Sequence, residues 1–122
     1  RPNQLIDRCY KQYKYQNKKA LFTAEEQSPL LWALDSSLKT YPLCEECISR
    51  PMRHNMNMML YVDNGNIYIF DKKYFLQHKN RLGDGQDVNL FITNYFESMQ
   101  IDTEEDFLIM SKMIDVYGSF VD

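Results

Sequence analysis

The sequence lacks several features that mark specialised classes of protein. It has no apolar run approaching the roughly 20 residues that span a bilayer, and its first residues do not form a signal peptide. It has no excess of basic residues, since the net charge is −3, which gives no reason to expect nucleic acid as a partner. It also has no internal repeat or low-complexity tract. We therefore expect a protein with neither a membrane nor a nucleic-acid partner.

Cysteine is scarce, with only Cys9, Cys44 and Cys47 in the chain. An odd number without a framework spacing indicates a reducing compartment, and we expect a cytoplasmic protein. Cys44 and Cys47 form a C-x-x-C motif that, with His54, would be half of a zinc site. A structural zinc site needs four ligands, however, and no second pair lies nearby. Thioredoxin-like redox chemistry is not favoured either, because the pair does not open a helix after a strand.

What the sequence does contain is typical of one globular domain. Its 122 residues are 44% apolar and 25% charged. Hydrophobic periodicity and turn residues predict an α/β fold with a mixed sheet. We expect helices over residues 3–17, 71–77 and from 104 onward, and strands over 20–24, 30–34, 38–43, 66–70, 87–92 and 94–101. Residues 44–62 have no clean period.

The most informative run lies between residues 97 and 107. It reads as a strand that ends at Asp102, followed at once by a helix that Thr103 and Asp106 begin as a capping box. Asp102 would then lie at the carboxyl end of a strand, where α/β sheets place ligands. The alternative is an ordinary junction with an acidic cap. The helix has an apolar stripe, predicted to face a core, at Phe107, Met110, Ile114 and Tyr117.

A second run adds to the first, because the turn pair Asn64-Gly65 leads into an alternating strand. The two motifs are N-G-x-I-Y-I at 64–69 and S-x-x-I-D-T-E-E-D-F at 98–107. Together they resemble the C-terminal half of the acylneuraminate cytidylyltransferases. That family includes the CMP-sialic acid synthetases and relatives acting on legionaminic or pseudaminic acid. Arg1-Pro2 is similar to the end of the family's S-P-L-R turn, and residues 32–43 to its W-x-L-D-x-x-x-L-x-P-L stretch.

This resemblance implies a three-layer, nucleotidyltransferase-like (Rossmann-like) mixed sheet, with residues 1–122 as its C-terminal part and 43–62 as a dimerisation extension. The family's nucleotide-binding part carries a basic, glycine-containing loop for the triphosphate, and none of the four glycines here lies in such a loop. The implied reaction joins CTP to a nonulosonic acid sugar and releases pyrophosphate, in a homodimer. The chain alone is expected to be inactive.

Two other readings stay open. One is a non-catalytic dimerisation or sugar-binding module of the same ancestry. The other is an unrelated helix-strand interaction domain, for which both motifs would be coincidental.

The resemblance also assigns a metal site. It matches Asp102 to the metal-binding Asp of the family's D-I-D-T, so Asp102 is expected to be catalytic and to bind Mg²⁺. A hard ion such as Mg²⁺ takes one or two carboxylates together with phosphate oxygens and water. Gln100 stands where the family usually has the first Asp. Because an amide brings no charge, the site is expected to hold its metal more weakly or to use one ion instead of two.

The remaining site residues are also assigned by the resemblance. Asn64 and Tyr68 match positions that contact the sugar, and an amide and a phenol suit its hydroxyl and carboxylate groups. Arg53 and His54 are the nearest match to the family's R-R-Q. They are expected to reach the site of a second subunit, Arg53 as a catalytic cation. The loop at Arg81 falls where relatives wall the N-acyl pocket.

Overall fold

The computed structural model describes residues 4–56 and 58–118, except for the side chain of Tyr117. These residues form an α/β fold with a mixed sheet. They divide into two compact units: residues up to Glu25 and from Asp63 onward form the first, and Glu26–Val62 forms the second. The similarity at Arg1-Pro2 and the predicted helix start at residue 3 lie outside the described residues. None of the helices described has the length and apolarity to cross a membrane.

Helices and strands follow one another in nearly the predicted order. They are α1 (Leu5–Gln16), β1 (Ala20–Gln27), β2 (Trp32–Leu34), β3 (Thr40–Pro42), α2 (Glu46–Ser49), a 3-10 turn (Arg53–Asn55), β4 (Leu60–Phe70), α3 (Lys72–His78), β5 (Val88–Ile92), α4 (Tyr95–Ser98) and α5 (Glu104–Tyr117). The predicted caps of α3 and α5 are confirmed: Asp71 accepts a hydrogen bond from the Tyr74 N–H, and Thr103 accepts one from Asp106.

A three-stranded sheet with the order β4-β1-β5 carries the core. β1 and β5 are parallel, with Ala20 opposite Val88 and Ala24 opposite Ile92. β1 is the central strand, and its residues from Ala20 to Ala24 are almost all buried, as its apolar run predicts. α1 contributes two of the three residues of the buried cluster, which consists of Leu5, Cys9 and Leu21 with Tyr13, Ile67, Ile69 and Phe91 packed around it.

The second unit begins with a small antiparallel hairpin. Trp32 in β2 lies opposite Pro42 in β3, and the turn between the strands is organised by the carboxylate of Asp35. That carboxylate accepts hydrogen bonds from the backbone N–H groups of Ser37 at 2.9 Å and Lys39 at 3.0 Å. After the hairpin, the described residues of this stretch form α2 and the 3-10 turn before β4 begins.

The predicted strand over residues 94–101 is wrong. Tyr95–Ser98 is a short helix, α4, because Asn94 and Glu97 form a reciprocal capping box. The Asn94 side chain accepts from the Glu97 N–H at 2.9 Å, and the Glu97 carboxylate accepts from the Asn94 N–H at 3.1 Å. Asp102 therefore follows a helix and a short extended segment, and it does not lie at the end of a strand.

Two further local predictions need correction. Asn64-Gly65 is not a turn between elements but lies inside β4, where Gly65 has a φ of 70° that favours glycine. The apolar stripe of α5 does not face a core either: Phe107 is 56% exposed and Ile114 is 47% exposed. Periodicity shows which residues share a helix face, but it does not show whether the same chain covers that face.

Candidate functional site

The two motifs that carry the family resemblance meet in space. Gln100 donates hydrogen bonds from Nε2 to the backbone oxygen of Asn64 and, at 2.8 Å, to Oδ1 of Asn66. Gly65 lies between these two acceptors and has a positive φ of 70°, a conformation that favours glycine. A Cβ added at Gly65 would lie 3.4 Å from the same Gln100 nitrogen, so the approach is close. We call Asn64, Asn66 and Gln100 the amide cluster.

A pocket of about 430 Å³ adjoins the amide cluster. Its lining comprises Gly65, Met99, Gln100, Ile101, Asp102 and Met110. We call it the Asp102 pocket, because Asp102 is the only acidic residue among those lining residues. Asp102 is exposed. It belongs to the segment just before α5, which forms one wall of the pocket. The pocket is therefore open to a polar ligand.

The cap of α5 fixes the backbone of Asp102. Its N–H donates to Oδ2 of Asp106 at 3.1 Å, and the Thr103 N–H donates to the same oxygen at 3.0 Å. The hydrogen bond from the Asp102 N–H is the main reason that the pKa of Asp106 is lowered, and those from Thr103 add to it. Asp106 therefore stays ionised at neutral pH and acts as a cap, which leaves the carboxylate of Asp102 available at the pocket.

Asn64 ties three parts of the first unit together. Its Oδ1 accepts hydrogen bonds from the hydroxyl of Thr23 at 2.7 Å and from the backbone N–H of Asn66 at 3.2 Å. Its Nδ2 donates to the hydroxyls of Thr93 at 2.9 Å and Ser98 at 3.4 Å. These are the four hydrogen bonds that an asparagine amide can make. A sugar contact by Asn64 stays a prediction, and it requires that one of these bonds be exchanged.

We expect Asn64→Ala to lower the free energy of unfolding by about 2 kcal/mol. The substitution removes the closer acceptor of the completely buried Thr23 hydroxyl, which then has only the Ile67 oxygen at 3.5 Å to donate to. A buried polar group that loses its hydrogen-bond partner costs about 1–3 kcal/mol. Urea unfolding followed by circular dichroism measures the change. Asn55→Ala, at an exposed position, is the control and should change it by less than about 0.5 kcal/mol. Equal stability of the two variants would contradict the internal role of Asn64.

Tyr68 contacts two charged residues. Its hydroxyl donates to the carboxylate of Asp63 at 2.8 Å, and the Arg81 guanidinium lies 3.8 Å from the centre of its ring. Burial raises the pKa of Tyr68 and the bond to Asp63 raises it further, so the phenol is neutral at physiological pH. The family resemblance places Arg81 in the loop where relatives wall the N-acyl pocket. The structure shows an exposed cation stacked on a predicted sugar-binding residue.

Arg53 and His54 are exposed residues of the 3-10 turn in the second unit. Arg53 forms an ion pair with Glu26. It also lines a pocket of about 470 Å³, which we call the Arg53 pocket, with Glu26, Gln27, Ser28, Pro29, Leu30, Pro51, Met56 and Met59. Within the described residues, Asp102 belongs to the first unit and Arg53 with His54 to the second.

No preformed metal cage occurs in the described part of the chain. Among residues 4–56 and 58–118, no group of three or more His, Cys, Asp or Glu side chains could hold a metal ion. The zinc site considered for Cys44, Cys47 and His54 is therefore not assembled. A metal at Asp102 would have to take most of its ligands from elsewhere, and Mg²⁺ commonly does so with phosphate oxygens and water.

The chain matches no protein-family model, and no curated protein is significantly similar to it. What it can do must therefore be inferred from the residues that the fold brings together: an amide cluster, one exposed carboxylate, a tyrosine stacked with an arginine, and a second unit with exposed cations.

Proposed function

We propose that this chain supplies the sugar-binding and dimer-forming part of a cytidylyltransferase, which activates a nonulosonic acid with CTP and releases pyrophosphate. The observation that carries this proposal is the pair of hydrogen bonds from Gln100 to Asn64 and Asn66. They join the two motifs that resemble the family, across 34 to 36 residues of sequence. The α/β fold with a mixed sheet is compatible with the three-layer, Rossmann-like architecture that we propose for the whole enzyme.

In this proposal, Asp102 provides a carboxylate ligand for Mg²⁺. Gln100 lines the same pocket and adds a neutral carbonyl oxygen. When bound, Mg²⁺ neutralises negative charge on the triphosphate. One carboxylate fits an ion whose other ligands are water and phosphate oxygens, so the residues present match a metal held jointly with CTP. The contribution of Asp102 is to position that charge next to the sugar.

The acidic sugar is recognised by groups of the first unit. The Arg81 guanidinium, held on the Tyr68 ring, provides a positive charge for the sugar carboxylate. The amide cluster provides hydrogen-bonding groups, and the hydrogen bonds of Asn64 to Thr23, Asn66 and Thr93 hold the cluster in place. The chemistry itself needs no protein nucleophile: the sugar hydroxyl attacks the α-phosphate, and the protein positions the reactants and stabilises the charge that develops.

A homodimer completes the site in this proposal. The stretch 43–62 exposes many apolar side chains, which favours its burial against a second copy of the chain. These are Leu43, Ile48, Met52, Met58, Met59 and Val62, with exposed fractions of 61, 67, 69, 65, 43 and 43%. Arg53 and His54 lie in the same stretch and would add positive charge at the partner's site. Arg53 would have to leave its ion pair with Glu26 to do so.

Substitution of an exposed methionine in this stretch should dissociate the dimer. We expect the chain to be a dimer by light scattering at micromolar concentration, and Met58→Glu to raise the dimer dissociation constant at least about tenfold. That factor is 1.4 kcal/mol, less than the cost of burying one unpaired charge. Tyr15→Glu is the matched control, since Tyr15 is 90% exposed on α1 and outside the stretch. A monomeric parent chain, or a loss of dimer in both variants alike, would contradict the assignment.

The catalytic proposal is tested by pyrophosphate release from CTP. The assay contains Mg²⁺, a candidate nonulosonic acid, and this chain together with a segment that carries a basic phosphate-binding loop. Release that requires both the sugar and the chain supports the proposal, and N-acetylglucosamine serves as the neutral-sugar control. The alternative is a non-catalytic dimerisation or sugar-binding module of the same ancestry. Sugar binding by calorimetry without pyrophosphate release would favour that alternative.

A further inference from the structure

Cys44 and Cys47 are placed as a dithiol in the second unit. Their sulfur atoms are 3.3 Å apart, so a movement of little more than 1 Å would bring them to the roughly 2.05 Å of a disulfide bond. Backbone carbonyls hold both sulfurs in place: Cys44 Sγ lies 3.0 Å from the Pro29 oxygen, and Cys47 Sγ lies 3.1 Å from the Leu31 oxygen. The pair follows β3 closely and Cys47 lies in α2, so the expectation that it does not open a helix after a strand is wrong.

The two thiols differ in access and in acidity. Cys44 is half-buried, whereas Cys47 is only 3% exposed. Burial of Cys47 disfavours its thiolate, but the hydrogen bond from Cys44 and nearby backbone hydrogen bonds outweigh burial and lower the pKa of Cys47. The same sulfur-sulfur hydrogen bond raises the pKa of Cys44. Access therefore selects Cys44 as the sulfur that meets an oxidant first, although Cys47 ionises more readily. The lower pKa of Cys47 favours its attack on Cys44 in the second step of thiol-disulfide exchange.

We propose that Cys44 and Cys47 are a site of reversible oxidation to an intrachain disulfide by a small-molecule disulfide such as oxidised glutathione. The Cys44 thiolate attacks one sulfur of the oxidant, which forms a mixed disulfide and releases one thiolate. The Cys47 thiolate then attacks Cys44 Sγ, which forms the protein disulfide and releases the second thiolate. The two released thiolates take up the two protons lost by the cysteines. In balance, two protein thiols are oxidised and one small disulfide is reduced to two thiols.

Oxidation changes the contacts of the segment beside these sulfurs. In the thiol form, Cys44 donates a hydrogen bond to the Pro29 carbonyl and Cys47 donates one to the Leu31 carbonyl. These bonds join the segment before β2 to the start of α2. A disulfide has no S–H group, so both contacts lose their donor. Pro29 also lines the Arg53 pocket, and oxidation is therefore expected to alter that pocket. This inference stands on the geometry of the cysteines and is independent of the proposed function.

The test uses the 122-residue chain in glutathione redox buffers, followed by acid quenching, alkylation and peptide mass spectrometry. We expect the peptide with Cys44 and Cys47 to lose two hydrogen atoms reversibly. Cys9 should stay a thiol, because it is completely buried and burial raises its pKa to about 11. The experiment is repeated with Met58→Glu, so that access does not depend on the proposed dimer.

Single variants assign the roles of the two sulfurs. Cys47→Ser should accumulate a mixed disulfide between Cys44 and glutathione, because the resolving thiol is gone. Cys44→Ser should react at least tenfold more slowly, because Cys47 is buried. Cys9→Ser is the control and should oxidise as the parent chain does. The proposal would be overturned if the parent chain and Met58→Glu both stay reduced. It would also be overturned if the parent chain keeps bound glutathione or forms only interchain disulfides. Circular dichroism checks that each variant is folded.

Discussion

Replacing Asp102 with Asn should lower pyrophosphate release from CTP at least about 100-fold, the effect of removing one group that stabilises charge in a transition state. Asn keeps the size of the side chain and the backbone hydrogen bond from residue 102 to Asp106, so the cap of α5 is preserved. What is lost is the single negative charge among the residues of the pocket. In the proposed mechanism, that charge is the protein's contribution to holding Mg²⁺ beside the triphosphate.

Asp115→Asn is the matched control for this substitution. Asp115 is an exposed residue of α5 whose ion pair with Lys112 has a separation of 4.0 Å, and exposed pairs of this kind contribute little to stability. Both variants replace one exposed aspartate with asparagine, Asp102 just before α5 and Asp115 in its last turn, and only Asp102 lines the pocket. A difference in activity between them therefore reports on the pocket. We expect the activity of Asp115→Asn to be within a factor of two of the parent. If Asp102→Asn is equally active, the metal assignment is wrong.

The magnesium dependence separates a metal ligand from a residue that only shapes the pocket. If Asp102 binds the ion, the Asn variant should need a higher Mg²⁺ concentration for half-maximal rate, and saturating Mg²⁺ should restore part of the activity. A purely structural role would lower the rate at every Mg²⁺ concentration by the same factor. Unfolding midpoints of the parent and both variants should agree, since Asp102 and Asp115 are both exposed.

Local features of the fold could be read from the sequence. The capping box of Thr103 and Asp106 and the cap of Asp71 were predicted correctly, because each depends on residues three apart. The strand β1 was predicted as buried on both faces from its apolar run, and it is the central strand. The same local signal, Asn94 with Glu97, was present for α4.

Long-range features could not be read in the same way. Three of the four hydrogen bonds of Asn64 involve Thr23, Thr93 and Ser98, which are 29 to 41 residues away in sequence. Their meeting depends on the strand order β4-β1-β5, and a single sequence does not give that order. The same limit applies to the apolar face of α5, since a helical period does not identify the surface that covers it. The sequence therefore predicts a set of candidate site residues, but it does not predict the contacts among them.

Replacing Arg8 with Met should have the largest effect on stability, a loss of about 3 kcal/mol. Arg8 on α1 forms an ion pair with Glu97 of α4, whose side chain is only 4% exposed. Removing the cation leaves a carboxylate buried without its charged partner, and breaking a buried pair costs about 3–5 kcal/mol. The lower end applies because Arg8 itself is 42% exposed. Methionine keeps an apolar stem, so the packing of α1 changes little.

The loss of unfolding free energy should be larger when Arg8 is replaced than when Glu97 is replaced. Glu97→Gln leaves Arg8, which can turn towards water, so we expect a loss of only about 1–2 kcal/mol. The double variant should lose at least about 1 kcal/mol less than the sum of the single losses, because the buried charge is then absent. Lys11→Met, an exposed position on the same helix, is the control for removing a positive charge from α1. Urea unfolding of all five proteins measures these differences. Equal losses of unfolding free energy for Arg8→Met and Lys11→Met would show that the ion pair contributes nothing. A larger loss for Arg8→Met that Glu97→Gln relieves would identify the buried carboxylate of Glu97 as the group that requires Arg8.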